Sequence, residues 1–548
     1  MINNRIQDPA YQTDLFSPTP SHNSYKHRTT VLNLILMSIL GALNTLAFAP
    51  SQHGGWLELV IFFCMFWLLS QTRTLCTALL AGGTFGFGQF VSGVWWLYIS
   101  MHFYGHMPSL IAGTIVVLFA LYLALYPAFS AGLWYMCYTL SRPWKTEVTL
   151  SWYASIAFAC AWTLGEWLRG TLFTGFPWLA SGYAQVNGPL AGFAPLIGVY
   201  GIGWILALVS ALIVQTVIYI GSERGIAIWL MSGVIAAALL LSGELLSRIT
   251  WTQQCGPRLS VRLLQGNIEQ SSKFEPVSIR HAIALYQKLI MEKPADLIVM
   301  PETSIPLPPY EASPQFCKAI QHFSDTTHAS VLFGTVGITM GSNKLKNFTN
   351  SLYGITPGSS IPYQYEKHHL VPFGEFVPWG FRWFVNMMNM PLGDFSRGSQ
   401  TQPPFIVHKQ LILPNICYED IFGEEISCSL RKNSSQSSIL VNSTNLGWFG
   451  NTIAQEHHLQ IAQMRTLETG RPMLCATNTG VTAMINADGS IAAQLNRFTL
   501  NSLDACVQGR NGITPYIVTG NTPILIISLV GLAIRFWMVG RGDAYAHK

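Results

Sequence analysis

The sequence predicts a protein in two parts: a multi-pass α-helical membrane domain of about eight transmembrane helices, and an α/β domain inserted before the last of them. Three observations predict this. Charge is distributed unevenly, with ten charged residues in the 216 positions from Val31 to Leu246 and 37 in the 269 positions from Thr252 to Gly520. The apolar runs of the first stretch, and one more from Thr522 to Val539, match a hydrocarbon core that needs roughly 20 apolar residues per helix. The charged stretch instead alternates short strand-like runs with helical spacings of apolar residues.

Composition agrees. Of 548 residues, 50% are hydrophobic, 12% aromatic and only 10% charged, where a soluble globular protein carries roughly 25% charged residues. Mean hydropathy is +0.33. A disordered chain, a coiled coil and an ordinary cytosolic enzyme are excluded. A net charge of +5 with no basic cluster argues against nucleic-acid binding. Ten cysteines without a C-x-x-C pair make neither a disulfide scaffold nor a zinc ribbon.

In chain order, residues 1–30 are polar, rich in Ser, Pro, Asn and Thr, and expected to be a disordered cytoplasmic N-terminus. Residues 31–248 form a seven-helix membrane domain, with helices expected at 31–49, 56–71, 75–99, 109–136, 148–168, 191–220 and 226–246. Ala47-Phe48-Ala49 resembles a signal-peptidase site, but the run before it is too long and Pro50 follows it, so an uncleaved anchor is expected. Residues 252–518 form the α/β domain, 521–539 the last membrane helix, and 540–548 a cytoplasmic tail. Lys26, Arg28, Arg73, Arg142, Lys145, Arg224, Arg541 and Lys548 fall on one side if both termini are cytoplasmic, which puts the α/β domain on the other side.

Within the membrane domain, Glu166-Trp167-Leu168-Arg169 ends one helix and Thr174-Gly175-Phe176-Pro177-Trp178 follows. The pair reads either as an interfacial anchor with a snorkelling Arg169, or as the lining of a lipid access site. Gly88 and Gly93, among aromatics, are expected to allow close helix packing.

In the α/β domain, strands are expected at Leu259–Leu264, Asp296–Met300, Ser330–Val336, Leu411–Ile416, Ser438–Val441, Met473–Thr477 and Ala483–Ile485, with helices at Ile279–Glu292 and Glu456–Glu468. Strand ends are where such folds present reactive side chains. Glu302 follows Leu297-Ile298-Val299-Met300, Cys417 follows Leu411 to Ile416, and Lys367 precedes Leu370-Val371-Pro372-Phe373-Gly374-Glu375. Each alone reads as a cap, a buried small residue or a solvated surface group. Together they make a nucleophile, a proton acceptor and a cation for an oxyanion.

At these residues the chain resembles the nitrilase (carbon–nitrogen hydrolase) superfamily: Pro301-Glu302, Lys367 before its Pro-Phe-Gly-Glu segment, and Cys417-Tyr418-Glu419 match in order. With seven apolar helices before that domain and one after it, the chain is similar to the apolipoprotein N-acyltransferase family from about residue 31 onward. The matching stretches include Ala47-Phe48-Ala49-Pro50, Glu166 to Gly170, Thr174 to Trp178, Gln265-Gly266-Asn267-Ile268, Trp448-Phe449-Gly450 and Thr477 to Gly480.

The resemblance implies an αββα sandwich for the soluble domain, placed in the periplasm at a bacterial inner membrane. It implies a phospholipid acyl donor, such as phosphatidylethanolamine, and a diacylglyceryl-cysteine lipoprotein as acceptor. Cys417 is then the nucleophile that carries the acyl chain as a thioester, Glu302 the proton acceptor and Lys367 the oxyanion stabiliser. Glu375 orients Lys367 or Glu302, Tyr418 and Glu419 shape the turn, and Phe274, Trp448 and Phe449 are candidates for acyl-chain contact. Phe381–Leu392 is a candidate lid or interface segment. No cofactor and no metal are expected, because His368, His369, His457 and His458 have no partners at ligand spacing. Two departures stand out: Phe274, after Lys273, where the family often has Trp, and Leu446 where it often has Asp. The competing readings are a membrane-anchored nitrilase-type hydrolase that gives its acyl group to water, and a lipid-binding or transport protein with an inactive outer domain.

Overall fold

The computed structural model describes residues 22–139, 150–221, 225–312, 314–340, 346–383, 394–433 and 438–546. Each expected apolar segment contains a helix: α1 (His22–Asn44), α2 (Gly54–Ser70), α3 (Leu75–Gly93), α4 (Ser109–Thr139), α5 (Trp152–Thr171), α6 (Ala194–Tyr219), α7 (Ile226–Leu246) and, at the far end of the chain, α12 (Thr522–Ala546). Five of the described segments, those of α1, α3, α4, α6 and α7, are long and apolar enough to cross a bilayer. The apolar stretches Gly54–Ser70 and Thr522–Ile534 are shorter, and α5 carries the Glu166 and Arg169 charges.

Two expectations are corrected. The first helix begins at His22, so residues 22–30 are not disordered; after Pro20 no proline or glycine interrupts the chain until Gly41. Residues 1–21, and Arg142, Lys145 and Arg224 with their charge argument, lie outside the described residues. The third helix ends at Gly93 rather than 99. There the chain turns, the Trp96 indole donates to the Gly93 carbonyl at 2.9 Å, and a short helix (Leu97–Ile99) runs into a wider π-turn at Ser100–Tyr104.

Glycine sets the helix spacing. A Cβ on Gly88 would strike the Ser38 carbonyl of α1, and one on Gly82 would strike the Pro127 carbonyl of α4. These close approaches replace the hydrophobic driving force that lipid removes.

The soluble domain is two six-stranded sheets. Strands β1 (Gln253–Gln265), β2 (Leu297–Val299), β3 (Ser330–Met340), β4 (Lys346–Ile355) and β5 (Tyr363–Glu366) form one, with β12 (Asn501–Asn511) outside β1, in the order β12-β1-β2-β3-β4-β5. The other is β11-β10-β9-β8-β7-β6, from β6 (Phe405–Val407), β7 (Gln410–Ile416), β8 (Ile439–Thr444), β9 (Met473–Thr477), β10 (Ala483–Ile485) and β11 (Ile491–Gln494). The centre of each is parallel, β1-β2-β3 and β7-β8-β9. Alternation builds the layers. Leu259, Val261 and Leu263 of β1 face Ile412, Ile416 and Val441 of the other sheet. The outer face of the first sheet is covered by α8 (Pro276–Glu292) and α9 (Pro314–Thr327) through Tyr286, Leu289, Phe316 and Ile320. The second is covered by α10 (Gly423–Lys432) and α11 (Ala454–Thr469) through Ile426, Leu430, Leu459 and Ala462. This is the expected αββα sandwich.

Helix α11 lies between sheet and membrane helices. Leu459 and Ala462 face the sheet, while Ile461 and Met464 join the core of the helical bundle. Its polar residues stitch the two parts together. Gln460 accepts from the Ala49 N–H at 3.0 Å, His457 Nδ1 from the Trp178 indole at 3.2 Å, and Glu468 from the Val199 N–H at 2.8 Å. That last N–H is available because Gly198, at φ +64°, breaks the first turn of α6.

Candidate active site

Four strand ends meet at the edge of the sandwich that faces the membrane helices. Glu302 follows β2, Lys367 follows β5, Cys417 follows β7 and Asn445 follows β8. Glu302 is 7% exposed and Lys367 1%. The Lys367 ammonium donates to Glu302 Oε1 at 3.2 Å and to Glu375 Oε1 at 2.9 Å. Asn350 of β4 donates one amide to both carboxylates, at 2.7 Å to Glu302 and 2.6 Å to Glu375. The second Glu302 oxygen accepts from the Asn445 N–H at 3.0 Å, and the second Glu375 oxygen from the Val371 N–H at 2.8 Å. Every carboxylate oxygen therefore has a donor, which a buried charge requires.

Electrostatics sets the protonation states. Burial alone would raise the Glu302 carboxyl, but Lys367, the Asn350 amide and Lys273 together hold it below its ordinary value, so it is a carboxylate. Burial lowers the Lys367 ammonium, yet Glu302 and Glu375 outweigh this and keep it charged. Burial, then the Glu302 charge, pushes the Cys417 thiol well up, against the pull of Lys367 and the Thr444 hydroxyl. The resting site thus holds a carboxylate, an ammonium and a protonated thiol.

Cys417 sits at φ +50°, a left-handed conformation a non-glycine residue adopts at a cost of about 1–3 kcal/mol. Three contacts hold it there. Asn442 donates to the Cys417 carbonyl at 3.0 Å. His458 Nε2 lies 3.4 Å from the same carbonyl and 3.3 Å from Asp420. Burial lowers His458 to about 4, so the ring is neutral. Glu419 accepts from the Ile416 N–H at 2.7 Å, the His368 N–H at 2.6 Å, the His369 N–H at 3.2 Å and the Tyr365 hydroxyl at 3.0 Å. One carboxylate thereby fixes the backbone beside Cys417 and beside Lys367 together.

The expected supporting residues separate by role. Glu375 touches Lys367 directly, and Glu419 orders the two loops. Tyr418 points away, into the membrane domain, where its hydroxyl donates to the Gly175 carbonyl at 3.0 Å. Phe274 stacks on Trp448 with centroids 6.5 Å apart, Trp448 meets Tyr104 edge-on at 5.8 Å, and Phe449 meets Trp96 at 4.4 Å. These rings wall the site on its membrane side. Leu446 is 2% exposed, an apolar residue in an apolar place. Most of Phe381–Leu392, the expected lid, lies outside the described residues.

The interfacial reading of Arg169 is corrected. It is 3% exposed and turned inward, donating to the Phe176 carbonyl at 2.7 Å and the Trp178 carbonyl at 2.5 Å. Glu166 accepts from the Ser181 N–H at 2.8 Å and its hydroxyl at 3.0 Å. The pair anchors the strap that carries Gly175. None of the ten cysteines is in a disulfide.

Sequence reading missed Asn350, Asn442 and Asn445, which lie on strands or turns without reactive side chains. The signal for Asn350 was its place in β4, a strand whose Lys346-Asn347-Phe348-Thr349 start hides the alternation. Lys273 stands out in the sequence only as the neighbour of Phe274, yet it is 3% exposed and its ammonium donates to the Glu302 carbonyl at 3.3 Å.

Known proteins resemble the chain along most of its length. The family model for the apolipoprotein N-acyltransferase N-terminal domain matches residues 40–212, and that for carbon-nitrogen hydrolases matches residues 260–511. The chain is 48% identical over 504 residues to an apolipoprotein N-acyltransferase of Ralstonia nicotianae, covering 91% of this chain and 93% of that one. It is 40% identical over 505 residues to one of Nitrosomonas europaea, covering 91% and 96%. Among solved structures, a carbon-nitrogen hydrolase from Helicobacter pylori aligns at 15% identity and a TM-score of 0.33, covering 52% of this chain and 94% of that one.

Proposed function

The chain belongs to the apolipoprotein N-acyltransferase family, and we propose that it works through a thioester on Cys417, with a membrane phospholipid such as phosphatidylethanolamine as acyl donor. The acceptor is the α-amino group of a diacylglyceryl-cysteine at the start of a lipoprotein. In the first half-reaction the Cys417 sulfur attacks the ester carbonyl while its proton passes to Glu302. The proton cannot leave earlier, because the buried thiol holds it firmly. Lys367 stands beside Glu302 to meet the developing oxyanion. Such a preplaced charge is worth roughly 3–4 kcal/mol when water is excluded. Collapse returns the proton from Glu302 to the leaving lysophospholipid oxygen. In the second half-reaction the amine attacks the thioester and Cys417 leaves as a thiol.

The observation that carries this reading is the position of the site. The Glu302–Lys367 pair lies beside a thiol whose chain neighbour Tyr418 bonds Gly175 of the membrane domain, while Phe449 packs on Trp96 of the same domain. Leu110, Phe103 and Phe173, at 83%, 62% and 84% exposure, present apolar side chains to their surroundings in the same part of the molecule. A lipid-borne acyl chain has a route to the thiol along such surfaces; a water-soluble nitrile or amide needs none of them. The positive charges of the connecting loops support an inner-membrane chain with 252–518 in the periplasm.

Product analysis tests the transfer. Purified protein in vesicles of phosphatidylethanolamine, supplied with a diacylated lipopeptide bearing a free amine, is expected to yield the triacylated peptide and lysophospholipid in equal amounts. Free fatty acid in place of the amide would assign the chain to the hydrolase reading.

A further inference from the structure

The two half-reactions differ by one proton. Acylation exchanges a thiol proton for an alcohol proton and needs no net change. Aminolysis begins with an amine that is mostly an ammonium at neutral pH, since α-amino groups titrate near 7.7–8.0. As the C–N bond forms and the C–S bond breaks, that ammonium loses two protons. One goes to the Cys417 sulfur through Glu302. The other has no destination in the triad: Glu302 and Glu375 hold Lys367 charged throughout, and Glu302 is occupied with the first.

A lysine outside the triad lies against Glu302. Lys273, in the loop between β1 and α8, is 3% exposed. Among the described residues its ammonium makes a single hydrogen bond, to the Glu302 carbonyl at 3.3 Å. The charged and titratable groups facing it are Glu302 at the end of β2 and Cys417 at the end of β7. Lys367 and Glu375 stand behind Glu302. After β8, neutral Asn445 donates to Gln270 of the same loop at 2.8 Å. The next residue, Phe274, stacks on Trp448 at the wall of the site.

Resting on the thioester reading, we propose that Lys273 is the acceptor of the second proton: in its neutral form it takes the excess proton of the incoming ammonium at the thioester, and it returns that proton to water when the acylated product leaves. Burial brings its ammonium down to about 8, with Glu302 and Cys417 pulling the other way. That value matches the α-amine it would deprotonate, which makes the transfer close to thermoneutral. A proton acceptor so matched contributes roughly 100-fold or more.

The test separates the half-reactions in full-length protein in phosphatidylethanolamine vesicles. Lys273→Arg keeps the positive charge but cannot give up its proton; Lys273→Met removes both. Acyl-enzyme is followed by intact mass, then chased with either a diacylated lipopeptide or hydroxylamine, a nucleophile that is uncharged at neutral pH and brings no excess proton. The expected result is that Lys273→Arg forms acyl-enzyme within a few-fold of wild type and yields it to hydroxylamine at the wild-type rate. Its transfer to lipopeptide at pH 7 falls about 100-fold, and the deficit narrows at pH 9, where the amine arrives neutral. Lys273→Met shows the same split between nucleophiles on whatever acyl-enzyme it forms. Equal loss toward both nucleophiles, no loss toward either, or failure of Lys273→Arg to acylate overturns the assignment. Absence of acyl-enzyme on the wild type would instead overturn the thioester reading beneath it.

Discussion

At the residue scale, the site stores its reactivity in a carboxylate and not in a thiolate. Glu302 is held ionised by Lys367 and Asn350 against its burial, while Cys417 keeps its proton. The sign for Glu302 is that of a depressed acid: its ionised form is present above the ordinary value of 4.5 and is lost only as pH falls below it. Acylation by phospholipid is therefore expected to show no acid limb between pH 5 and 8 in initial-rate measurements. Alkylation of Cys417 by iodoacetamide is expected to be slower than that of an ordinary exposed thiol and to rise without a plateau up to pH 9. A plateau near neutral pH would reveal a preformed thiolate and contradict a resting thiol that keeps its proton. Glu302 and Cys417 were legible in the sequence because each ends an apolar strand with a chemically distinctive side chain, and Lys367 because it precedes the Leu370 to Glu375 segment. Asn350 was not, because an amide in a strand carries no sign of which carboxylates it will bridge. Lys273 was hidden for a different reason: its burial is decided by sequence-distant strands that end around it.

At the scale of elements, two pieces position the site: helix α11 and the strap that follows α5. The strap is held by Arg169 on the Phe176 and Trp178 carbonyls and by Glu166 on Ser181, and it offers the Gly175 carbonyl to Tyr418 beside Cys417. Removing one member of a buried pair leaves an uncompensated charge, at a cost of about 3–5 kcal/mol. Arg169→Met is therefore expected to lower the melting temperature and the acylation rate together. The double change Glu166→Gln with Arg169→Met is expected to recover part of the stability but not the rate, because the carbonyls of the strap still lack their donor. Equal recovery of both would show that the strap does not reach the thiol. Most of the helices were legible to within a few residues, since apolar length alone marks them; the first starts at His22 and the last runs to Ala546, both beyond the apolar runs that marked them. The break after Gly93 and the π-turn to Tyr104 were not, because the apolar run continues unbroken through them and only the Trp96 bond to Gly93 and the packing of Leu179 against Gly93 end the helix. Strands β4, β5, β6, β11 and β12 escaped for other reasons: β4, β5 and β12 are rich in polar residues that blur the period of two, and β6 and β11 are too short to show one.

At the scale of the whole molecule, the sandwich and the helical bundle share one core. Ile421, Phe422, Ile461 and Met464 of the sandwich pack with the membrane helices, and buried Glu468 bonds the Val199 N–H. A sandwich cut from the bundle would expose this apolar face together with Arg465 and Glu468, both 0% exposed. Residues 252–518 produced alone are accordingly expected to aggregate or bind vesicles, as judged by sedimentation, and to form no acyl-enzyme. A monodisperse, active fragment would show that the bundle only anchors the chain. The two-part architecture was legible from charge density along the sequence. The shared core was not, because α11 reads as a polar helix and its burial on both sides becomes visible only when both parts are in place.

The central claim is that Cys417 carries the acyl chain between two lipid substrates. It is tested most directly by intact mass spectrometry of the full-length protein after incubation with phosphatidylethanolamine, wild type beside Cys417→Ala. The account predicts one added acyl mass on the wild type alone, released by hydroxylamine and lost on addition of a diacylated lipopeptide. An acyl mass on both proteins, or on neither while phospholipid still binds, would contradict it.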